Sequence, residues 1–161
     1  MTEHWAIDAS PLILLGKANQ LDWLPGLGKI VIPSSVALEI SAGNSTDPAR
    51  QWLSSGSTRD MIREDIDASR ELLSWDLGNG ETSVIAWCQL HREFEAIIDD
   101  AAGRRCAGVF RVKLRGTLAI LALAKKRGLI PLCRPVFEKL EAEGFFIAPD
   151  LIEKVAKSVG E

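Results

Sequence analysis

The sequence predicts an α/β domain in three layers, α/β/α, built on a short and mostly parallel sheet. Short apolar runs rich in β-branched residues are each stopped by Asp or Pro and followed by a stretch with helical spacing. This strand, break, helix unit recurs along the chain, and such alternation gives parallel strands covered by helices on both faces. At 161 residues the chain can sustain one core without staples. Residues 1–161 therefore read as a single domain, to which the helices from about residue 117 belong.

Trp5 to Ile7 is the first strand, ending at Asp8, and Ser10-Pro11 then opens a helix with serine as cap and proline at the first helical position. Lys29 to Ile32 is the second strand, stopped by Pro33. Ser34 or Ser35 caps the helix that follows, which carries Val36, Glu39 and Ile40 before Gly43. Residues 43–57 are rich in Ser, Asn, Gly and Thr but hold Trp52 and Leu53 after Asp47-Pro48, so they form a loop with one short helix. Residues 67–75 read as helical. Gly78-Asn79-Gly80 then breaks the chain, and Val84, Ile85, Trp87 and Cys88 place a buried helix over 81–90. Ala96 to Ile98 is the third strand, ending at Asp99-Asp100, with a short helix over 101–107. Residues 109–114 carry no decisive pattern. Thr117 to Arg127 and Pro131 to Glu143 are helices closed by Gly128 and Gly144. Phe145 to Ile147 is expected as an edge strand and Pro149 to Val159 as a last amphipathic helix, giving three to five strands in all.

Composition narrows the chemistry. The chain is 47% hydrophobic and 25% charged, ordinary globular usage, and no apolar run approaches the ~18 residues that span a bilayer. Its first residues, Met1-Thr2-Glu3-His4-Trp5, are acidic where a signal peptide is basic, so a soluble cytoplasmic protein is expected. Cys88, Cys106 and Cys133 are odd in number and widely spaced, which suggests reduced thiols and neither a disulfide framework nor a thiolate zinc site. With only His4 and His91 as imidazoles, any metal must be held by oxygen. A net charge of −3 argues against a wholly basic nucleic-acid-coating surface. Yet residues 101–137 hold nine bases and no acid: Arg104, Arg105, Arg111, Lys113, Arg115, Lys125, Lys126, Arg127 and Arg134. That run is either a solvated face or a phosphate-facing rim beside a metal site.

Asp8 and Asp99 each end a strand, so parallel strands place both at the carboxyl edge of the sheet, where such folds bind ligands. Glu39 lies at the margin of its helix's apolar face, and Glu81 in a first turn that reaches the same edge if its helix runs antiparallel to the strands. Taken singly, each acid has a simpler explanation: Asp8 and Asp99-Asp100 as helix caps, Glu81 as a favourable charge at a helix N-terminus, Glu39 as a surface residue. Taken together, four converging carboxylates repel one another and make sense around a cation. Mg²⁺ or Mn²⁺ suits an oxygen-only donor set and can polarise a phosphate while acidifying an attacking water.

The ordered series resembles the PIN-domain nucleases, in particular the short prokaryotic PIN proteins related to VapC-type toxins. Asp8-Ala9-Ser10-Pro11-Leu12 is similar to the first acidic motif of that family, Ile32-Pro33 through Val36 and Glu39 to the second, Leu77-Gly78-Asn79-Gly80-Glu81 to the third, and Ile97-Ile98-Asp99-Asp100 to the fourth. Gly103 to Ala107, Gly116-Thr117-Leu118 and the Lys125-Lys126-Arg127-Gly128 helix end resemble the C-terminal half of that branch. The resemblance implies that Asp8, Glu39, Glu81 and Asp99 are catalytic and bind one or two Mg²⁺ or Mn²⁺ ions for hydrolysis of RNA, with Asp100 second to Asp99 as the fourth acid. Ser10, Arg104, Arg105 and Thr117 are the implied substrate contacts. It further implies a homodimer and a small antitoxin partner.

Two other readings compete with it. One keeps the fold without the chemistry, as a catalytically quiet RNA- or protein-binding module; the presence of all four acids disfavours it. The other is a different Mg²⁺-dependent α/β class. A phosphatase of the aspartate-nucleophile type needs a second Asp where Ser10 stands, and a receiver domain needs an acidic pair near its start. No glycine-rich phosphate loop follows the first strand.

Overall fold

The computed structural model of the chain describes residues 2–161. Five strands form one sheet: β1 (Glu3–Ile7), β2 (Gly28–Pro33), β3 (Ile62–Arg63), β4 (Glu95–Ile97) and β5 (Leu114–Arg115), in the order β3-β2-β1-β4-β5. Every pairing is parallel. The helices are α1 (Ala9–Lys17), α2 (Leu24–Leu27), α3 (Ser34–Ser41), α4 (Pro48–Ser54), α5 (Arg70–Leu73), α6 (Asn79–Leu90), α7 (Ala101–Val109), α8 (Thr117–Lys126), α9 (Arg134–Ala142) and α10 (Pro149–Ser158).

From β1 the chain moves outward through β2 to β3, then returns to the other side of β1 for β4 and β5. Right-handed crossovers in these two directions put their helices on opposite faces, and the reversal opens a crevice at the carboxyl ends of β1 and β4. Asp8 and Asp99 follow those two ends directly. A backbone bond from the Asp8 N–H to the Ile97 carbonyl (3.1 Å) closes the two strands together just at the crevice. The central strand is sealed from water on both faces: Trp5, Ala6 and Ile7 are fully buried. Truncating Ile7 to Ala should cost roughly 2–5 kcal/mol. α6 lies over β1, β2 and β4, whereas α1 packs against α4, α8 and α9.

Several elements depart from expectation. α1 begins at Ala9, two residues earlier than Ser10 as cap and Pro11 as first helical residue implied, with Asp8 at the cap position but making no side-chain capping bond. Neither Ser34 nor Ser35 caps α3; both lie inside its first turn, after Pro33. Phe145 to Ile147 is not an edge strand: β5 already forms that edge, and the segment instead lies along α8 and α10, with Ile147 buried. Four of the nine bases of the basic run are in ion pairs. Arg115 pairs with Glu95, Arg127 with Glu3, Lys125 with Glu161 and Arg134 with Glu153. The three cysteines are free and buried. No helix among the described residues is long and apolar enough to cross a membrane.

Candidate metal centre

α3 and α6 cross at Gly80, and the missing side chain there makes the site. A Cβ on Gly80 would stand 3.1 Å from Asp8 Oδ1, 3.1 Å from Val36 Cγ2 and 3.3 Å from Glu39 Oε2, so the glycine lets two carboxylates from different elements close on one point. Asp8 is only 4% exposed. Burial pushes its carboxyl up; the Ala9 N–H pulls it down, and the charges of Glu81, Glu39 and Asp99 push it up again, to about 7. Asp8 thus feels the charges of the three other acids, which come from α3, α6 and the β4–α7 loop.

Glu81 sits in the first turn of α6, which runs antiparallel to the strands and so begins at the crevice. Its carboxyl is raised by burial and then by the charges of Asp100 and Glu39. Its Oε2 is buried without a hydrogen-bond partner. A Cβ on Gly103 of α7 would lie 2.8 Å from that oxygen, a second close approach, at which any larger residue would have to displace the Glu81 carboxylate.

The two acids after β4 take different places. Asp99 is held at the N-terminus of α8, where Thr117 donates its backbone N–H to Oδ1 (2.9 Å) and its hydroxyl to Oδ2 (2.5 Å). Asp100 caps α7 through the Gly103 N–H (2.9 Å) while its charge acts on Glu81. Asp99 adds its charge to Asp8, and Asp100 adds its charge to Glu81.

Around the acids, Ser10 is exposed and lines a cavity of about 360 Å³ with Asp99, Asp100 and Phe145. Arg104 donates to the Ile98 carbonyl (2.9 Å), and its guanidinium approaches the Gly116 position together with Asp99. Arg105 is exposed. Thr117 is buried and turned toward Asp99. A larger, mostly apolar groove of about 740 Å³ opens beside Asp99 and Arg104, lined by Leu118, Leu123, Phe145, Phe146 and Leu151, with Phe146 81% exposed.

A family model described as a PIN domain matches residues 4–161. The chain belongs to the PIN-domain family. Its five-stranded parallel sheet flanked by helices is the PIN architecture, a nuclease fold whose members typically use divalent metals and bind RNA. Comparisons with curated proteins and with solved structures give no match.

Whether this PIN domain's residues suit such a metal is a matter of donor chemistry. No three His, Cys, Asp or Glu side chains among the described residues stand together as a group that could hold an ion. The set nevertheless fits a hard cation in kind: the donors are all oxygen, one carboxylate oxygen is buried without a partner, and one acid resists ionisation, first because it is buried and then because of the charges of three others. Sequence reasoning quoted the glycines at 80, 103 and 116 within its motifs but not as residues that shape the site by what they lack, and it gave no role to Asp65 or Ser83, which together with Ser35 link the β3–α5 segment, α3 and α6. Gly80 was visible as a chain break. The Asp65 contact spans 30 residues and left no local signal.

Proposed function

We propose that this chain is a divalent-metal-dependent endoribonuclease, hydrolysing RNA phosphodiester bonds as the toxin component of a toxin–antitoxin pair. The observation that carries the reading is the burial of Asp8 among Glu39, Glu81 and Asp99 at the switch point of the sheet. Three opposing acids around a buried fourth are costly as a purely structural arrangement, and each arrives from a different element.

Mg²⁺ or Mn²⁺ would be held by Asp8, Glu39, Glu81 and Asp99, with Asp100 beside Glu81, and when bound it supplies charge neutralisation at the phosphate and a more acidic attacking water. The chain's own residues do the rest. Thr117 fixes the Asp99 carboxylate through both oxygens, so its direction is set before substrate arrives. Arg104, which lines the groove beside Asp99, and exposed Arg105 would bind backbone phosphates, and Ser10 would contact substrate from the cavity it lines with Asp99 and Asp100. The apolar groove beside Asp99 suits a small antitoxin protein that blocks the site. We take the whole chain to act as one domain, in the cytoplasm and as a homodimer.

The test is cleavage of mixed cellular RNA by purified protein with Mg²⁺, with Mn²⁺ and with EDTA, alongside Asp8→Asn. Metal-dependent cutting that the variant loses supports the nuclease. Cutting by Asp8→Asn at the wild-type rate would sink the metal reading, and no cutting under any condition would favour a quiet RNA- or protein-binding module.

A further inference from the structure

The segment between β3 and α5 has no part in the acid cluster, yet one of its side chains reaches back to the helix that carries Glu39. Asp65 Oδ1 accepts the Ser35 backbone N–H (3.1 Å), the Ser35 hydroxyl (3.1 Å) and the Ser34 hydroxyl (3.3 Å). α3 has no capping side chain of its own, because Pro33 occupies the position before it; Asp65 satisfies its first turn from 30 residues away. The Ser35 hydroxyl also lies 2.9 Å from Ser83 Oγ and 3.4 Å from the Asn79 carbonyl, both on α6. In each contact the Ser35 hydroxyl is the donor, and because it carries one proton it is shared between the Asp65 carboxylate and its α6 acceptors, Ser83 Oγ and the Asn79 carbonyl. The chain Asp65–Ser35–Ser83 therefore crosses from a loop through α3 to α6.

Its position relative to the acids is specific. Ser35 and Glu39 are four residues apart on α3 and share a face, and Ser83 follows Glu81 by two residues on α6. The two helices meet between these pairs at Gly80, and Ser35, Glu39, Asn79 and Gly80 line one cavity of about 380 Å³. We infer that Asp65 is a positioning residue for the acid cluster: by clamping the first turn of α3 onto α6 through Ser35 and Ser83, it sets the spacing of Glu39 and Glu81. This rests on the metal-site reading above.

The experiment compares Asp65→Ala, Asp65→Asn and, as a control, Asp47→Ala, which removes a cap from α4 without touching a hydrogen bond of the clamp (Asp47 accepts from the Ala49 N–H at 2.8 Å). Two readouts are taken on the full chain: backbone hydrogen exchange in metal-free protein, and Mn²⁺ affinity by calorimetry. Asp65→Ala should speed exchange in residues 34–36 and 79–83 together and weaken Mn²⁺ binding about tenfold, the scale of lost outer-shell support. Asp65→Asn, which keeps an acceptor oxygen, should recover most of the affinity, and Asp47→Ala should leave it unchanged. Wild-type affinity in Asp65→Ala, an equal loss in Asp47→Ala, or faster exchange confined to 34–36 would each overturn the inference. If the wild-type protein binds no Mn²⁺, the metal reading fails and the positioning role fails with it, while joint exchange at 34–36 and 79–83 would still show the clamp to be real.

Discussion

Asp8 offers the sharpest test because one substitution should have opposite effects with and without metal. In the folded chain its carboxyl rises from an ordinary 3.8 to about 7, so between those values the native state holds a proton that the unfolded state has released. Stability from this group is therefore full below about pH 4, falls as pH rises, and levels off above about pH 7. Three units at 1.36 kcal/mol each set an upper limit of about 4 kcal/mol at pH 8, and relaxation of the site brings the expected penalty nearer 2 kcal/mol. Asp8→Asn removes the charge and keeps the shape. In EDTA at pH 8 the variant should melt higher than wild type, by roughly 4–8 °C for a domain of this size. At pH 5 the gap should shrink by about half. Saturating Mn²⁺ should raise the wild-type melting temperature and leave the variant nearly unmoved. Thermal unfolding across pH 5–8, in EDTA and in Mn²⁺, reads all three effects. If Asp8→Asn melts at or below wild type in EDTA at pH 8, the picture of a buried, mutually repelling cluster is wrong.

Glu161 should show the reverse pH dependence. Burial pushes its carboxyl up, but the Cys133 N–H, the Lys125 ammonium and the Arg134 N–H outweigh that and hold it down to about 2. Its contribution is thus present above about pH 4.5 and lost as pH falls toward 2; Glu161→Gln should lower stability at pH 7 by about 1–2 kcal/mol after screening, a difference that chemical denaturation would see vanish near pH 2–3. Gly103→Ala must displace Glu81 Oε2 or Ile98, which a new Cβ would approach at 2.8 and 2.9 Å. Overpacking of about 1–3 kcal/mol should outweigh the helix-propensity gain of about 1 kcal/mol, and calorimetry should show weaker Mn²⁺ binding. A variant more stable than wild type with unchanged affinity would mean that the contact yields freely.

What the sequence made legible follows the range of the forces involved. β1, β2 and β4 stand out because burial on both faces demands unbroken apolar runs, as in Trp5-Ala6-Ile7. β3 and β5 are two residues each, too short for any periodicity, and exist because a neighbouring strand offers them a ladder. The Phe145 to Ile147 run has strand-like composition, but a left-handed turn at Gly144 (φ 91°) directs it onto α8 and α10. The acids were readable as an ordered series, since each stands at the end of an element whose direction the topology dictates. The choice between Asp99 and Asp100 was not readable, because both lie past the end of β4, where strand alternation no longer assigns a face. Their partners, Thr117 and Glu81, are supplied by other parts of the chain.

The same topology that gathers the acids also supplies part of their compensation. α1, α3, α7 and α8 each begin at the carboxyl end of the strand before them, and α6, running the other way, starts there too. Five helix N-termini therefore point their partial positive charge at the crevice, each worth about 0.3–1 kcal/mol to a nearby carboxylate. Asp8, Glu81, Asp99 and Asp100 all sit at a cap or in a first turn and share that gain. Even so, the net effect on Asp8 is a carboxyl raised to about 7, so at that buried position dipoles and the Ala9 N–H are outweighed by burial and like charge. The excess is what a divalent cation would neutralise. Its binding should therefore stabilise the fold as well as equip the site, and the metal dependence of melting and the metal dependence of cleavage should be lost in the same variants.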